Sequence, residues 1–95
     1  MKLIKITAIW CMSCILMNEI LKNIEATNHK HYETINYDYD TNQADIEAYE
    51  VGTVLPVYIL LDRDDHEIAR LIGEKTQKEL TAFLLEGGAI SEENH

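Results

Sequence analysis

Proline is nearly missing from this sequence. Pro56 stands alone, only four glycines accompany it, and no Ser/Gly-rich, low-complexity or repeated segment occurs in the 95 residues. Nothing therefore marks a linker, and a chain of this length with 46% hydrophobic residues builds one compact domain, not two. Basic residues are scarce as well. Eight Lys and Arg face seventeen Asp and Glu, giving a formal charge of −9, and no basic cluster could follow a phosphate backbone. This excludes nucleic acid as a partner. The acidic excess describes a solvated surface and names no substrate. A long apolar run is absent too: Lys5 interrupts Leu3-Ile4 and Ile6 before a secretion signal or a membrane span could form, so a cytoplasmic protein with no membrane partner is expected. After Gly87-Gly88 the residues turn polar, and 89–95, ending in Ser91-Glu92-Glu93-Asn94-His95, read as an acidic frayed tail. The domain is expected to span residues 1–88.

Cysteine is rare but concentrated. Both copies lie in Ile9-Trp10-Cys11-Met12-Ser13-Cys14-Ile15-Leu16. In a reducing compartment two such close thiols are more often catalytic or metal-binding than a structural staple. A bridge enclosing two residues would also restrict the unfolded chain very little.

Hydrophobic periodicity places this pair. Residues 3 to 9 are rich in Leu, Ile and Thr and read as a buried strand. Met17, Ile20, Leu21 and Ile24 then recur at helical spacing, which predicts an amphipathic helix over 12–26 with Cys11 at its N-terminus and Cys14 on its inward face. Residues 27–31 read as a loop. From Tyr32 to Tyr39, Ile35, Tyr37 and Tyr39 alternate with polar residues, as on a half-exposed edge strand. Asp40, with Gln43 three residues on, is placed to cap a short helix reaching about Tyr49. Val57–Leu61 and Glu67–Ile72, separated by Asp62-Arg63-Asp64-Asp65-His66, form a hairpin. Thr76 and Glu79 give a capping box before Leu80, Phe83 and Leu84, and Gly87 stops that helix. The expected fold is α/β, in the order β-α-β-α-β-β-α, with the first two strands parallel through a right-handed crossover.

A thiol attacks only as its thiolate, and an ordinary cysteine with a pKa of roughly 8.5 is mostly protonated near neutrality. At a helix N-terminus the unpaired N–H groups and the helix dipole stabilise the anion. Cys11 is thus placed to attack a disulfide and Cys14, one turn deeper, to resolve the mixed disulfide. The competing use of C-x-x-C is half of a zinc site. His29, His31, His66 and His95 are the available companions, but they lack paired spacing, and there is no second C-x-x-C.

With these elements placed, the sequence resembles the thioredoxin family. The likeness rests on Trp10-Cys11-Met12-Ser13-Cys14 after a strand, on Val54-Leu55-Pro56-Val57 before a strand at the interval from Cys14 usual in thioredoxins, on Gly73, and on the terminal helix. It implies a thiol–disulfide oxidoreductase with a four-stranded mixed sheet and helices on both faces. It implies a cis Leu55-Pro56 peptide, with the Leu55 backbone pairing with an extended substrate, and an apolar rim of Trp10, Pro56 and Gly73 around an exposed Cys11. Each rim residue also has a plain structural reading: Trp10 as core, Pro56 as a turn, Gly73 as a bulge or hinge. No cofactor is expected beyond the Cys11-Cys14 disulfide itself, and no resident metal. The expected partners are a disulfide-containing protein substrate and, as electron donor, an unidentified reductase or low-molecular-weight thiol. The chain is expected to act as a monomer.

The departures from the family pattern carry expectations of their own. Nine residues precede Trp10, so a shortened form of glutaredoxin-like size is expected, without the family's first strand and helix. Thr53-Val54 resembles the glutaredoxins, but Leu55 separates that pair from the proline, and Met12-Ser13 is not their Pro-Tyr; glutathione use is not implied. Thioredoxins carry a buried carboxylate six positions before the first cysteine, and here Lys5 stands there. Its ammonium is expected to reach solvent. With no His between the sulfurs, a reductase or neutral exchanger is favoured over an oxidant. Two other readings remain: a redox-inactive thioredoxin-fold binding module, and a metal or iron–sulfur centre shared by the C-x-x-C pairs of two chains.

Overall fold

Why the second half of the sequence shows one five-residue run of apolar residues becomes clear from the sheet. In the computed structural model, which describes residues 1–92, that run is strand β4 (Val57–Leu61), and all five residues are buried. It lies beside β1 (Lys2–Thr7) in the centre of a sheet ordered β3-β1-β4-β5, where β3 is Glu33–Asp38 and β5 is Glu67–Ile72. A strand covered on both faces needs apolar residues at successive positions, which is why β1 and β4 do not alternate. β3, at an edge, has no fully buried residue, and Ile35 and Tyr37 alternate there with polar residues. β1 and β3 pair in parallel, with Ile4 opposite Ile35, and β4 runs antiparallel to both β1 and β5.

The parallel step from β1 to β3 requires a crossover, supplied by helix α1 (Met12–Thr27). Its buried residues Cys14, Met17, Leu21 and Ile24 recur at three- and four-residue spacing. Met17, Leu21 and Ile24, together with Leu80 and Leu84 of helix α3 (Gln77–Glu86), cover the sheet face that presents Leu3, Tyr58 and Leu60, while Cys14 belongs to the cluster on the other face. Thr76 and Glu79 close the expected capping box, the Thr76 hydroxyl accepting the Glu79 N–H at 3.1 Å while the Glu79 carboxylate accepts the Thr76 N–H at 3.2 Å. The opposite face presents Ile4, Ile6, Ile59 and Leu61, and the short helix α2 (Gln43–Glu47) packs Ile46 against it. Helices therefore lie on both faces of a four-stranded mixed sheet, and the expected order is present.

Three local expectations change. The segment after α1 is not a plain loop, because Asn28–Lys30 forms strand β2. Its partner is β6 (Ile90–Glu92), which lies in the stretch read as a frayed tail. Ala89 and Ile90 are buried, the Ala89 N–H bonds the Leu84 carbonyl at 2.8 Å, and the His31 N–H bonds the Ala89 carbonyl at 2.8 Å. Gly88, at φ 73°, turns the chain back so that these two apolar residues meet the core. The ordered chain thus passes the expected boundary at residue 88, and the rest of the tail, 93–95, lies outside the described residues. Finally, Asp40 does not cap α2. The N-cap is Asn42, and the Asp40 carboxylate is committed elsewhere.

Candidate active site

β1 ends at Thr7 and α1 begins at Met12, so the cysteines sit where a central strand delivers the chain into a helix. Cys11 is the N-cap of α1, in extended conformation, and its sulfur accepts the Cys14 N–H at 3.1 Å. This places Sγ among the unpaired amide groups of the first turn, where negative charge is favoured. Cys14 lies within the helix, 5.2 Å away between Cα atoms, and the two form a disulfide. Cys11 is 7% exposed, so in this oxidised state it is nearly covered, not open as expected. The covering is apolar: both sulfurs belong to one buried cluster with Ala8, Ile6 and Leu55.

The expected rim residues are partly gathered. The Leu55-Pro56 peptide is cis, and Pro56 and Leu55 are buried. Gly73 meets this turn through its N–H, which bonds the Pro56 carbonyl at 2.9 Å. Gly73 adopts φ 87°, a left-handed backbone that favours glycine. Trp10 is 60% exposed, which removes the core reading. Its indole is held on the α2 side, donating to Asp40 Oδ2 at 2.7 Å and meeting the Tyr39 ring edge-on at 6.5 Å. Ser13 donates to Glu74 at 2.9 Å, tying the first turn of α1 to the residue after Gly73. The sequence marks Asp40 as a helix cap and Tyr39 as a strand residue, not as site residues, and Glu74 is not marked at all. Around the disulfide, Ile9, Met12, Ile15, Leu16 and Val54 are all exposed apolar residues. The bunching of Ile9, Met12, Ile15 and Leu16 next to the cysteines in sequence was the available signal, which Val54, before Pro56, does not share.

Lys5 departs most from expectation. It is buried, 7% exposed, and does not reach solvent. Its Nζ donates to Asn18 Oδ1 at 2.6 Å, and it shares the lining of a cavity of about 380 Å³ with Cys14 and Asn18. Burial pulls its pKa below the ordinary lysine value, with Glu25 opposing and Lys22 and Lys30 assisting. Among the described residues no histidine joins the cysteines in a group of metal-ligating side chains. Among the described residues the one grouping of metal-ligating side chains is Asp62, Asp64 and His66, in the turn between β4 and β5. His31 bonds Ser91 instead, at 2.7 Å, and His95 lies outside the described residues. No helix among the described residues is long and apolar enough to cross a membrane.

Comparison with known proteins agrees with this geometry. The thioredoxin family model matches residues 1–86. A thioredoxin of Chlamydia pneumoniae is 34% identical over 82 residues, covering 86% of this chain and 78% of that protein. Among solved structures, Trxlp from Edwardsiella tarda superposes with a TM-score of 0.77 at 26% identity, over 87% of this chain and 80% of that one. Oxidised mitochondrial thioredoxin 3 from Saccharomyces cerevisiae gives 0.73 at 26% identity, over 90% and 76%. With the family model matched over most of its length and a thioredoxin relative 34% identical, the chain belongs to the thioredoxin family of thiol–disulfide oxidoreductases.

Proposed function

We propose that the chain reduces or exchanges disulfides of protein substrates through the Cys11/Cys14 dithiol. One observation carries the assignment of roles: Cys11 Sγ caps α1 while Cys14 lies inside the helix. Cys11, at the end bearing free amide groups, is the attacking thiolate. It displaces one substrate sulfur and forms a mixed disulfide. Cys14 then attacks Cys11 Sγ, the second substrate sulfur leaves, and the Cys11-Cys14 bond remains; two electrons pass to the substrate. Leu55 and Pro56 present backbone to an extended substrate segment, and Trp10, Pro56 and Gly73 edge the contact. The exposed apolar residues Ile9, Met12, Ile15 and Val54 support a substrate that offers apolar chain around its disulfide.

The redox disulfide is the working group, without a separate cofactor. A reductase or a low-molecular-weight thiol returns the electrons, the chain works as a monomer, and the cytoplasm supplies the reducing conditions it needs. Replacing the resolving sulfur tests this. Cys14→Ser should accumulate mixed disulfides that Cys11→Ser does not form, and the parent should reduce insulin with dithiothreitol as donor. Absence of both trapped adduct and insulin reduction defeats the reading.

A further inference from the structure

Lys5 is the one buried charged side chain among the described residues, and the two-sulfur exchange leaves it without a task. It stands mid-strand on β1, in a cross-strand row with Asn36 of β3 and Tyr58 of β4. Helix α1 passes over this row. Asn18, which accepts the Lys5 ammonium, is four residues beyond Cys14 on that helix, so the two share a face. Lys5 and Cys14 line the same open cavity, whose other polar groups include Asn36 and Asp38.

Two neighbours partly offset the cost of burying the charged lysine. A carbonyl oxygen at 2.6 Å accepts from it, and the Tyr58 ring centroid lies 5.9 Å from Nζ. What it lacks is an anion. No carboxylate among the described residues forms an ion pair with it. Asp38, on the cavity wall, is engaged by the Asp40 and Thr41 N–H groups. Glu25 of α1 acts at longer range, opposed by Lys22 of α1 and Lys30 of β2. A buried cation without a counter-ion is costly, and the thiolate of Cys14 would supply one in the reduced chain.

We propose that Lys5 is a positioning residue whose ammonium favours the thiolate of Cys14 over its thiol. This rests on the reading of Cys14 as the resolving sulfur. Cys14 passes its proton to water in the open cavity. The thiolate attacks Cys11 Sγ of the mixed disulfide, the Cys11-Cys14 bond forms, the bond from Cys11 to the substrate breaks, and the departing sulfur takes a proton from solvent. Lys5 transfers no proton and forms no bond; it changes the fraction of Cys14 ready to attack.

The test reads the ionisation of Cys14 directly, by the pH dependence of its 13Cβ resonance in the reduced protein. Lys5→Met, similar in length and uncharged, should raise the Cys14 pKa by about 1, and Lys5→Arg should keep it near the parent value. In the parent, the Lys5 13Cε resonance should shift at the Cys14 pKa; this needs no variant and decides the matter if Lys5→Met does not fold. An unchanged Cys14 pKa in folded Lys5→Met, or a Lys5 13Cε signal silent at the Cys14 pKa, overturns the proposal. If Cys14 responds to Lys5 while the parent neither traps nor reduces a substrate, the electrostatic coupling stands and the oxidoreductase reading falls.

Discussion

Replacing Ile90 by alanine measures how far the fold extends past the last helix. Ile90 is 3% exposed and belongs to the same cluster as Leu84, Leu21 and Tyr58, although it is only two positions before the last described residue. Removing its three terminal carbons loses their transfer free energy and opens a void. Buried Ile→Ala changes cost about 2–5 kcal/mol. β6 is short and paired on one side only, to β2, so the site can partly close, and the lower end of that range, about 2–3 kcal/mol, applies. Against a typical total of about 5–15 kcal/mol this is a large loss. For a domain of this size it should lower the melting temperature by about 10–20 °C. Equilibrium unfolding in urea, with the slope compared between variants, is the assay. Glu92→Ala, at an exposed position of the same strand, serves as the control and should change stability by less than about 0.5 kcal/mol. A loss below about 0.5 kcal/mol for Ile90→Ala would mean that the segment after Gly88 does not contribute to the core, and the packing argument would fail.

Gly87→Ala should destabilise despite an ordinary φ of −78°: the added Cβ would come within 2.4 Å of Leu60 Cδ1, and overpacking of about 1–3 kcal/mol exceeds the unfolded-state gain of about 0.4–1 kcal/mol. In a Leu60→Val background, which lacks that carbon, most of the penalty should vanish, and a double-mutant cycle checks it. Asp40→Ala frees the Trp10 indole and should lower kcat/KM for a protein disulfide about fivefold, as expected for one hydrogen bond of about 1 kcal/mol, while turnover of a small disulfide such as dithiobis(nitrobenzoate) stays unchanged. Arg70 donates to both Glu67 oxygens and holds that carboxyl below the usual glutamate range. A lowered folded value means that the stabilisation is present above the unfolded pKa of about 4.3 and lost as pH falls through the folded one. Urea midpoints should therefore drop below pH 4.3 more in the parent than in Glu67→Gln.

Much of the fold is legible in the sequence wherever a local pattern repeats. Met17, Leu21 and Ile24 give α1, Thr76 and Glu79 give the start of α3, and the uninterrupted Val57–Leu61 run gives a strand covered on both faces. The cysteines could be placed because strand, helix and motif follow one another without a gap. What the pattern does not hold is any contact between distant segments. β2 and β6 are three residues each, too short to show a period, and they exist because Ile90 finds the core. Asp40 carries the composition of a helix cap, yet it bonds Trp10, thirty positions away. Lys5 reads as a charge bound for water because its burial depends on a row of three strands and a helix above them, none of which is local to it.

The exposed flank of β3 governs how this protein behaves in the test tube. An edge strand leaves one row of peptide groups without sheet partners, a surface on which another extended chain can add. Glu33 and Asp38 stand at its two ends, and each molecule carries a net charge of −9. Two copies approaching edge to edge therefore repel one another over a distance set by the ions around them, about 30 Å in 0.01 M salt and about 3 Å at 1 M. Concentrated stocks should keep best in dilute buffer near neutral pH. Salt shortens that repulsion and acid lowers the charge behind it, and light scattering should then rise with time.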